Sequence, residues 1–434
     1  MQKKLEKYFD LLWPICRSLT GDGNRETLKI LSEIVDLKIS EIPSGQECFD
    51  WTVPDEWNVK DAWIKDSKGK KIIDFRKNNL HLLGYSEAFR GKLKLKELRE
   101  HLYSIPEQPN VIPYLTSYYK PRWGFCISHK QMRKLREDDY EVCIDSVKDP
   151  EGSMTIAEAV LPGKSKKEIL LSTYICHPSM ANNELSGPLV TSFIYEKLKK
   201  KTERKFTYRF LFLPETIGTI YYLSVHGEEL MKNLHAGFVV TCIGDRGNFT
   251  YKKSRRGDTP ADRAAELVLN QTERKFIVED FFPTGSDERQ YCSPGFNLPV
   301  GSLMRTRYGK YKQYHTSADN RKFISFKKME ESVEKYIEII NTLENNGTYV
   351  NTLPYCEPQL GKRDLYPTLG SQKDTTEFVN SIMWVLNLSD GKNDTIEISR
   401  RSGIKFEIIN EAAQKLFEKG LLKNSENEDG DDND

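Results

Sequence analysis

Residues 168–188 read EILLSTYICHPSMANNELSGP. The first nine, EILLSTYIC (168–176), form a near-continuous apolar run. Such a run marks a β-strand buried on both faces, as in parallel sheets covered by helices. His177 ends the run and a polar loop follows. Next come a helix, GPLVTSFIYEKLKKK (187–201), and a second apolar strand, TYRFLFL (207–213). The alternation continues with a helix from Gly218 to about Met231, a strand AGFVVTCIG (236–244) and a helix opening at Pro260. A short strand, VGSLM (300–304), precedes a long amphipathic helix from about Phe326 to Leu343. This order predicts an α/β fold with a mixed, mostly parallel sheet flanked by helices.

Outward from that core the character changes. Residues 1–45 read as helical, with Leu5, Phe9, Leu12 and Ile15 at helical spacing. Together with 166–345 they are assigned to the α/β domain. Residues 46–165 hold short aromatic and β-branched runs, such as FDWTVP, KIIDF and YEVCIDSV, between turn residues. They predict an inserted β-rich domain. Residues 346–434 are mostly helical. DTIEISRRSG (394–403) and FEIINEAAQKLFEKGLL (406–422) flank a Gly-containing turn, a helix-turn-helix pattern within a small domain at 355–424. The polar, acidic residues 425–434 predict a disordered tail.

Composition narrows the function classes. Lys plus Arg number 65 and Asp plus Glu 64, so no global field draws the chain to nucleic acid or an acidic membrane. No run of about 18 apolar residues predicts a membrane span. Eight cysteines are scattered without a CxxC pair, which fits a reducing cytosol and argues against a four-cysteine zinc site. In the helix-turn-helix, the second helix carries Glu407, Glu411 and Glu418 against Lys415 and Lys419, ahead of the acidic tail. A helix that reads DNA offers cations to phosphates, so the expected partner of this segment is protein, including a second copy of the chain, rather than nucleic acid.

Ligand sites in open α/β sheets lie beyond the carboxyl ends of the strands. Each loop there carries something polar: His177 after the first strand, Pro214-Glu215 after the second, then GSDERQYC (285–292) and YHTSADN (314–320). Two imidazoles with carboxylates are a donor set that suits zinc. The order of these loops resembles the zinc aminopeptidases of the transferrin-receptor and glutamate-carboxypeptidase type. His177 matches that family's first histidine, ANNELSG (181–187) its aspartate loop, PETIG (214–218) its Glu–Glu loop and VTCIG (240–244) its later strand end. SDERQY (286–291) and HTSAD (315–319) match its last two motifs. The chain as a whole is also similar to a bacterial family that joins an aminopeptidase-like domain to an inserted β domain and a C-terminal winged-helix-like segment.

The departures carry as much meaning. The bridging aspartate falls on Asn183, the second glutamate on Thr216 and the third carboxylate on Thr241. Two dications need several carboxylates, so the resemblance implies one zinc at most. The expected ligands are His177, Asn183, Asp287 and His315, with Glu184 as a substitute for Asn183. Glu215 matches the general base; Arg289 and Tyr314 are expected to contact substrate. Asp319 reads as a structural hydrogen-bond partner. The implied activity is a zinc aminopeptidase-like hydrolysis of a small peptide or amide-linked metabolite. The alternative is a degenerate aminopeptidase fold that binds a small molecule or protein without catalysis.

Overall fold

The computed structural model describes residues 1–365 and 372–425, with side chains omitted at 372–376. The tail expected at 425–434 lies, beyond Ser425, outside the described residues. The chain divides into two compact units, one of residues 1–262 and 275–336, the other of 263–274 and 337–434. Among the described residues no helix is long and apolar enough to cross a membrane.

The first unit is built on an eight-stranded mixed sheet. Glu168–Tyr174 lies near its centre, fully buried along its length, parallel to Thr207–Leu213 on one side and Leu234–Val239 on the other. Val300–Met304 pairs in parallel with Leu234–Val239, and Phe249–Lys252 and Phe276–Glu279 complete that edge. The helix after the central strand, Ser186–Lys199, leads to a strand on one side. Ile217–Asn233 leads to a strand on the other. The connections therefore diverge at the carboxyl end of Glu168–Tyr174, where the sheet opens a crevice. Gly187 lets the first helix start against the sheet: a Cβ there would sit 2.4 Å from the Val240 carbonyl oxygen.

The other edge differs from the sequence reading. Lys38–Pro43, in a segment expected to be helical, is a strand. It pairs with Ser153–Leu161, which lies inside the stretch assigned to the insert and pairs in turn with Thr207–Leu213. Local alternation identifies a strand but not the sheet it joins, which is a long-range choice. The rest of the insert forms a four-stranded antiparallel sheet around Glu56–Lys65 and Asp139–Asp149. Its Trp57, Ile64 and Val142 share one apolar core with Leu170, Leu213 and Val300 of the main sheet.

The second unit contains helices Gln372–Leu388, Thr395–Ser402 and Phe406–Glu418 and a small antiparallel sheet of Thr348–Asn351, Asp390–Asp394 and Leu422–Asn424. This is a winged-helix arrangement. Asp394 caps the second helix by accepting from the Glu397 amide, and Gly403, in the left-handed region, ends it. Ile382, Ile398, Ile409 and Leu416 fill its core.

Candidate metal and catalytic site

His177 stands just past the central strand, buried, with its ring backed by charge. Its Nδ1 lies 2.8 Å from Glu184 Oε2, and Glu184 Oε1 lies 3.4 Å from Arg17 Nε. Arg17 and Glu184 are both fully buried, and Arg17 Nε also donates to the His177 carbonyl at 3.0 Å. Burial, with Arg17 nearby, pushes the imidazole down to about 3, so it is neutral. Burial also raises Glu184 to about 8, against the pull of Arg17. The Glu184 carboxyl engages Nδ1 and so leaves Nε2 as the ring nitrogen turned to Glu215 and the cavity. This carboxylate-behind-histidine arrangement orients an imidazole for a metal. It also gives Glu184 a backing place rather than a ligand place.

The ANNEL segment forms one π-helical turn, Ala181–Leu185. Asp319, from the HTSAD loop, holds it: Oδ1 accepts from the Asn182 amide at 2.7 Å and Oδ2 from the Asn183 amide at 2.9 Å. Asn183 Nδ2 donates to the Tyr174 hydroxyl at 2.6 Å, which meets Thr241 Oγ1 at 2.5 Å, which donates to the Asn183 carbonyl at 3.0 Å. Donor counting fixes the direction round this ring, since an amide N–H only gives and a carbonyl only accepts. Neutral groups thus satisfy one another where the resemblance would place carboxylates. Asn183 Oδ1 is left buried with no partner in the protein.

Glu215 follows Thr207–Leu213 and precedes a strained residue. Thr216 has φ 68° and ψ −76°, and the Ile217 amide donates to the Glu215 carbonyl at 2.9 Å. That is a γ-turn of the rare positive-φ kind, and a β-branched residue at its centre is an outlier. Asp287 holds the turn, its Oδ1 accepting from the Thr216 amide at 2.8 Å. Arg289 Nη2 donates to Thr216 Oγ1 at 3.0 Å. Asp287 therefore serves the turn with one oxygen, a role the sequence reading did not assign it. The turn brings Glu215 Oε2 to 3.6 Å from His177 Nε2. Burial first, then Asp287, pushes Glu215 well above the usual carboxylate range; Arg289 opposes.

His315 sits at φ 52° and its ring centroid is 5.6 Å from that of His177. Burial holds it near 3 as well, and its Nε2 is buried with no partner in the protein. Tyr314 stacks on it at 4.0 Å and is a support for the imidazole. The insert closes the site. The Tyr114 amide donates to the His315 carbonyl at 2.8 Å, and the Tyr114 ring lies 5.2 Å from both imidazoles. A cavity of about 260 Å³ opens over His177, Glu215, Thr216 and Arg289, walled by Trp51, Tyr118 and Tyr119 of the insert. The sequence reading missed these aromatics, along with Arg17, Tyr114 and Tyr174. Tyr174 alone left a signal: a tyrosine inside a fully buried strand needs a hydrogen-bond partner.

The donors present are two neutral imidazoles, His177 and His315, a type of ligand that zinc accepts. His177 lies between two other candidate donors, with the His315 ring 5.6 Å from its own and Glu215 Oε2 3.6 Å from its Nε2. Two imidazoles sharing a tetrahedral zinc have centroids roughly 5 Å apart, close to the separation seen. A second dication lacks its carboxylates, because Thr216 and Thr241 occupy those places. Cys176, His177 and Glu184 also cluster, with donor atoms within 4.8 Å. Burial raises the Cys176 thiol well above its ordinary value and the sulfur accepts from the Glu215 amide at 3.2 Å. That trio is internally hydrogen-bonded and backs His177.

Comparison with known proteins agrees with this architecture. A family profile described as a domain of unknown function, DUF4910, matches residues 7–346, and one described as a winged helix-turn-helix matches 347–424. A Clostridium acetobutylicum protein, provisionally named a polysaccharide biosynthesis protein with aminopeptidase-like domain, is 48% identical over 412 residues, 95% of this chain and 94% of its own. A crystal structure provisionally named a peptidase, from the same species, has a TM-score of 0.91 at 46% identity, covering 98% of this chain and 96% of that one. A zinc aminopeptidase from Bacillus subtilis (TM-score 0.56, 10% identity, 78% of this chain and 94% of that one) shares the fold. So does a peptidase M28 precursor from Shewanella amazonensis (0.55, 12%, 79% and 92%). With an aminopeptidase-like α/β fold and a profile match across most of its length, the chain belongs to the DUF4910 domain family, here followed by a winged helix-turn-helix.

Proposed function

We propose that this protein is a single-zinc hydrolase of aminopeptidase type that cleaves an amide bond in a small peptide or amide-linked metabolite. One observation carries the reading: His315 Nε2 and Asn183 Oδ1 are buried without protein partners, beside a neutral His177 whose Nε2 faces Glu215. A bound ion is one way that buried polar atoms without protein partners are satisfied. His177, His315 and Asn183 would hold the metal, which when bound polarises the scissile carbonyl and makes water acidic enough to ionise near neutral pH. Glu215 takes the proton from the attacking water and passes it to the leaving nitrogen. Water adds to the carbonyl carbon, the C–N bond breaks, and a carboxylic acid and an amine leave. The relative's assignment to polysaccharide biosynthesis suits an amide-linked sugar among such substrates. The reading predicts close to one zinc per chain by elemental analysis, lost in His177→Ala and in His315→Ala. Full metal content in both variants would refute it.

The alternative, a binding protein without catalysis, draws on the closed ring of Asn183, Tyr174 and Thr241, in which neutral partners replace metal-binding carboxylates. Stoichiometric zinc without turnover of any amide would favour it.

A further inference from the structure

The cavity over Glu215 is lined by both charged and aromatic residues. Among its described lining residues Arg289 is the one cation and Glu215 the one carboxyl group. Arg289 is fixed by the bond of its Nη2 to Thr216 Oγ1 at 3.0 Å. The residue is half-buried, so part of the guanidinium stays open to the cavity. A guanidinium presents donors in a plane that matches a carboxylate. Glu215 is turned to His177, and Asp287 to the Thr216 amide. An entering ammonium group would meet the fixed Arg289 cation, with Glu215, the group that takes the proton from water, as its one carboxyl partner in the lining.

The lining also includes an aromatic, partly exposed pair. Trp51 and Tyr119 are 40% and 50% exposed, with ring centroids 5.7 Å apart in an edge-to-face pair. Tyr119 is held at φ 58°, with its hydroxyl donating to the Thr52 carbonyl at 3.3 Å. Such rings pack on flat faces. The volume suits a ligand the size of an amino-acid derivative or one sugar.

We propose that this cavity binds a small carboxylate carrying a ring with an apolar face, with Arg289 on the carboxylate and Trp51 and Tyr119 against the ring, and that it selects against a free ammonium end. The inference rests on the hydrolase reading and names its substrate class: an N-acylated amino acid or an N-acylated sugar acid rather than a free-amine peptide.

The test is equilibrium binding to the full chain, read by calorimetry, with Glu215→Gln in parallel so that turnover does not consume the probe. The probes are N-acetyl-L-phenylalanine, N-acetylmuramic acid and L-phenylalaninamide. At least one acid should bind, with the cationic amide at least about tenfold weaker, or about 1.4 kcal/mol. The preferred acid reports whether the ring is aromatic or sugar. Trp51→Leu should weaken acid binding about tenfold, and Arg289→Met should erase the preference over the amide. The comparison on the unmodified chain decides even if Arg289→Met folds poorly. Binding of the amide as tight as that of the acids, or no binding of either acid, overturns the proposal. Acid binding without cleavage of any amide leaves the subsite standing and removes the hydrolase reading. Cleavage of aminoacyl amides with no acid binding does the reverse.

Discussion

Asn183 is where one atom decides the most. An aspartate would lose the amide donor to the Tyr174 hydroxyl, which would have to turn its proton away from Thr241, and would place a charged oxygen where Oδ1 now has no partner. Without metal that charge is buried and uncompensated, so Asn183→Asp should lower stability by about 1–3 kcal/mol. With zinc the same charge is a ligand. The variant should bind zinc more tightly than the parent and show the larger zinc-induced rise in Tm. Equal zinc affinity in the two proteins would mean residue 183 does not face the metal. Asp287 can be judged the same way. Its bond to the Thr216 amide asks only for an acceptor, which asparagine also supplies. Asp287→Asn should keep metal content near that of the parent, whereas Asp287→Ala should cost about 1–3 kcal/mol by releasing a strained turn. Loss of zinc in Asp287→Asn would make the carboxylate a ligand instead.

Between elements, one cluster joins the insert to the sheet edge. Arg25, on helix Asp22–Leu31, makes two 2.7 Å bonds to Glu56 of strand Glu56–Lys65 and two 3.1 Å bonds to Glu41 of strand Lys38–Pro43. Glu56 Oε2 also accepts from the Ser153 amide at 2.9 Å, at the start of Ser153–Leu161. The Arg25 guanidinium first, with the Ser153 amide, holds Glu56 down at about 2 from 4.5. A depressed carboxylate stabilises the fold above its unfolded value, and that stability is lost as pH falls through the folded one. Glu56→Gln should therefore destabilise the protein by about 1–2 kcal/mol at neutral pH, after allowance for solvent screening. Denaturation curves of the two proteins should converge as pH falls below 4.5 toward about 2. A gap that stays constant over that range would remove the ion pair as its cause.

For the molecule as a whole, the winged-helix unit poses the question of partner. Helix Phe406–Glu418 carries Glu407, Glu411 and Glu418, and Lys415 is paired with Glu411 at 2.8 Å. Little cationic surface on that helix is free to neutralise phosphate. The full chain should show no measurable duplex binding at physiological salt, where nonspecific Kd values run roughly 10⁻⁴–10⁻⁶ M. A tight, salt-sensitive shift with random DNA would overturn that expectation and point to cations elsewhere in the unit.

The apolar runs made the mixed sheet legible from the sequence, because a strand buried on both faces must be apolar, while the resemblance in the loops singled out His177, Glu215 and His315 as candidates. The missing carboxylates were equally plain, since Thr216 and Thr241 are what they are in any fold. Tertiary structure alone decided what stands around them. Arg17 reaches His177 across 160 positions of chain, Asp319 holds the Asn182 and Asn183 amides across 137 and 136, and the aromatic wall comes from a β-rich stretch whose spacing signalled only strands. Strand Ser153–Leu161 chose the main sheet over its neighbours in sequence. Periodicity records which face of an element is buried. It does not record which distant element covers it, and in this protein that covering supplies the histidine's backing, the turn's anchor and the walls of the cavity.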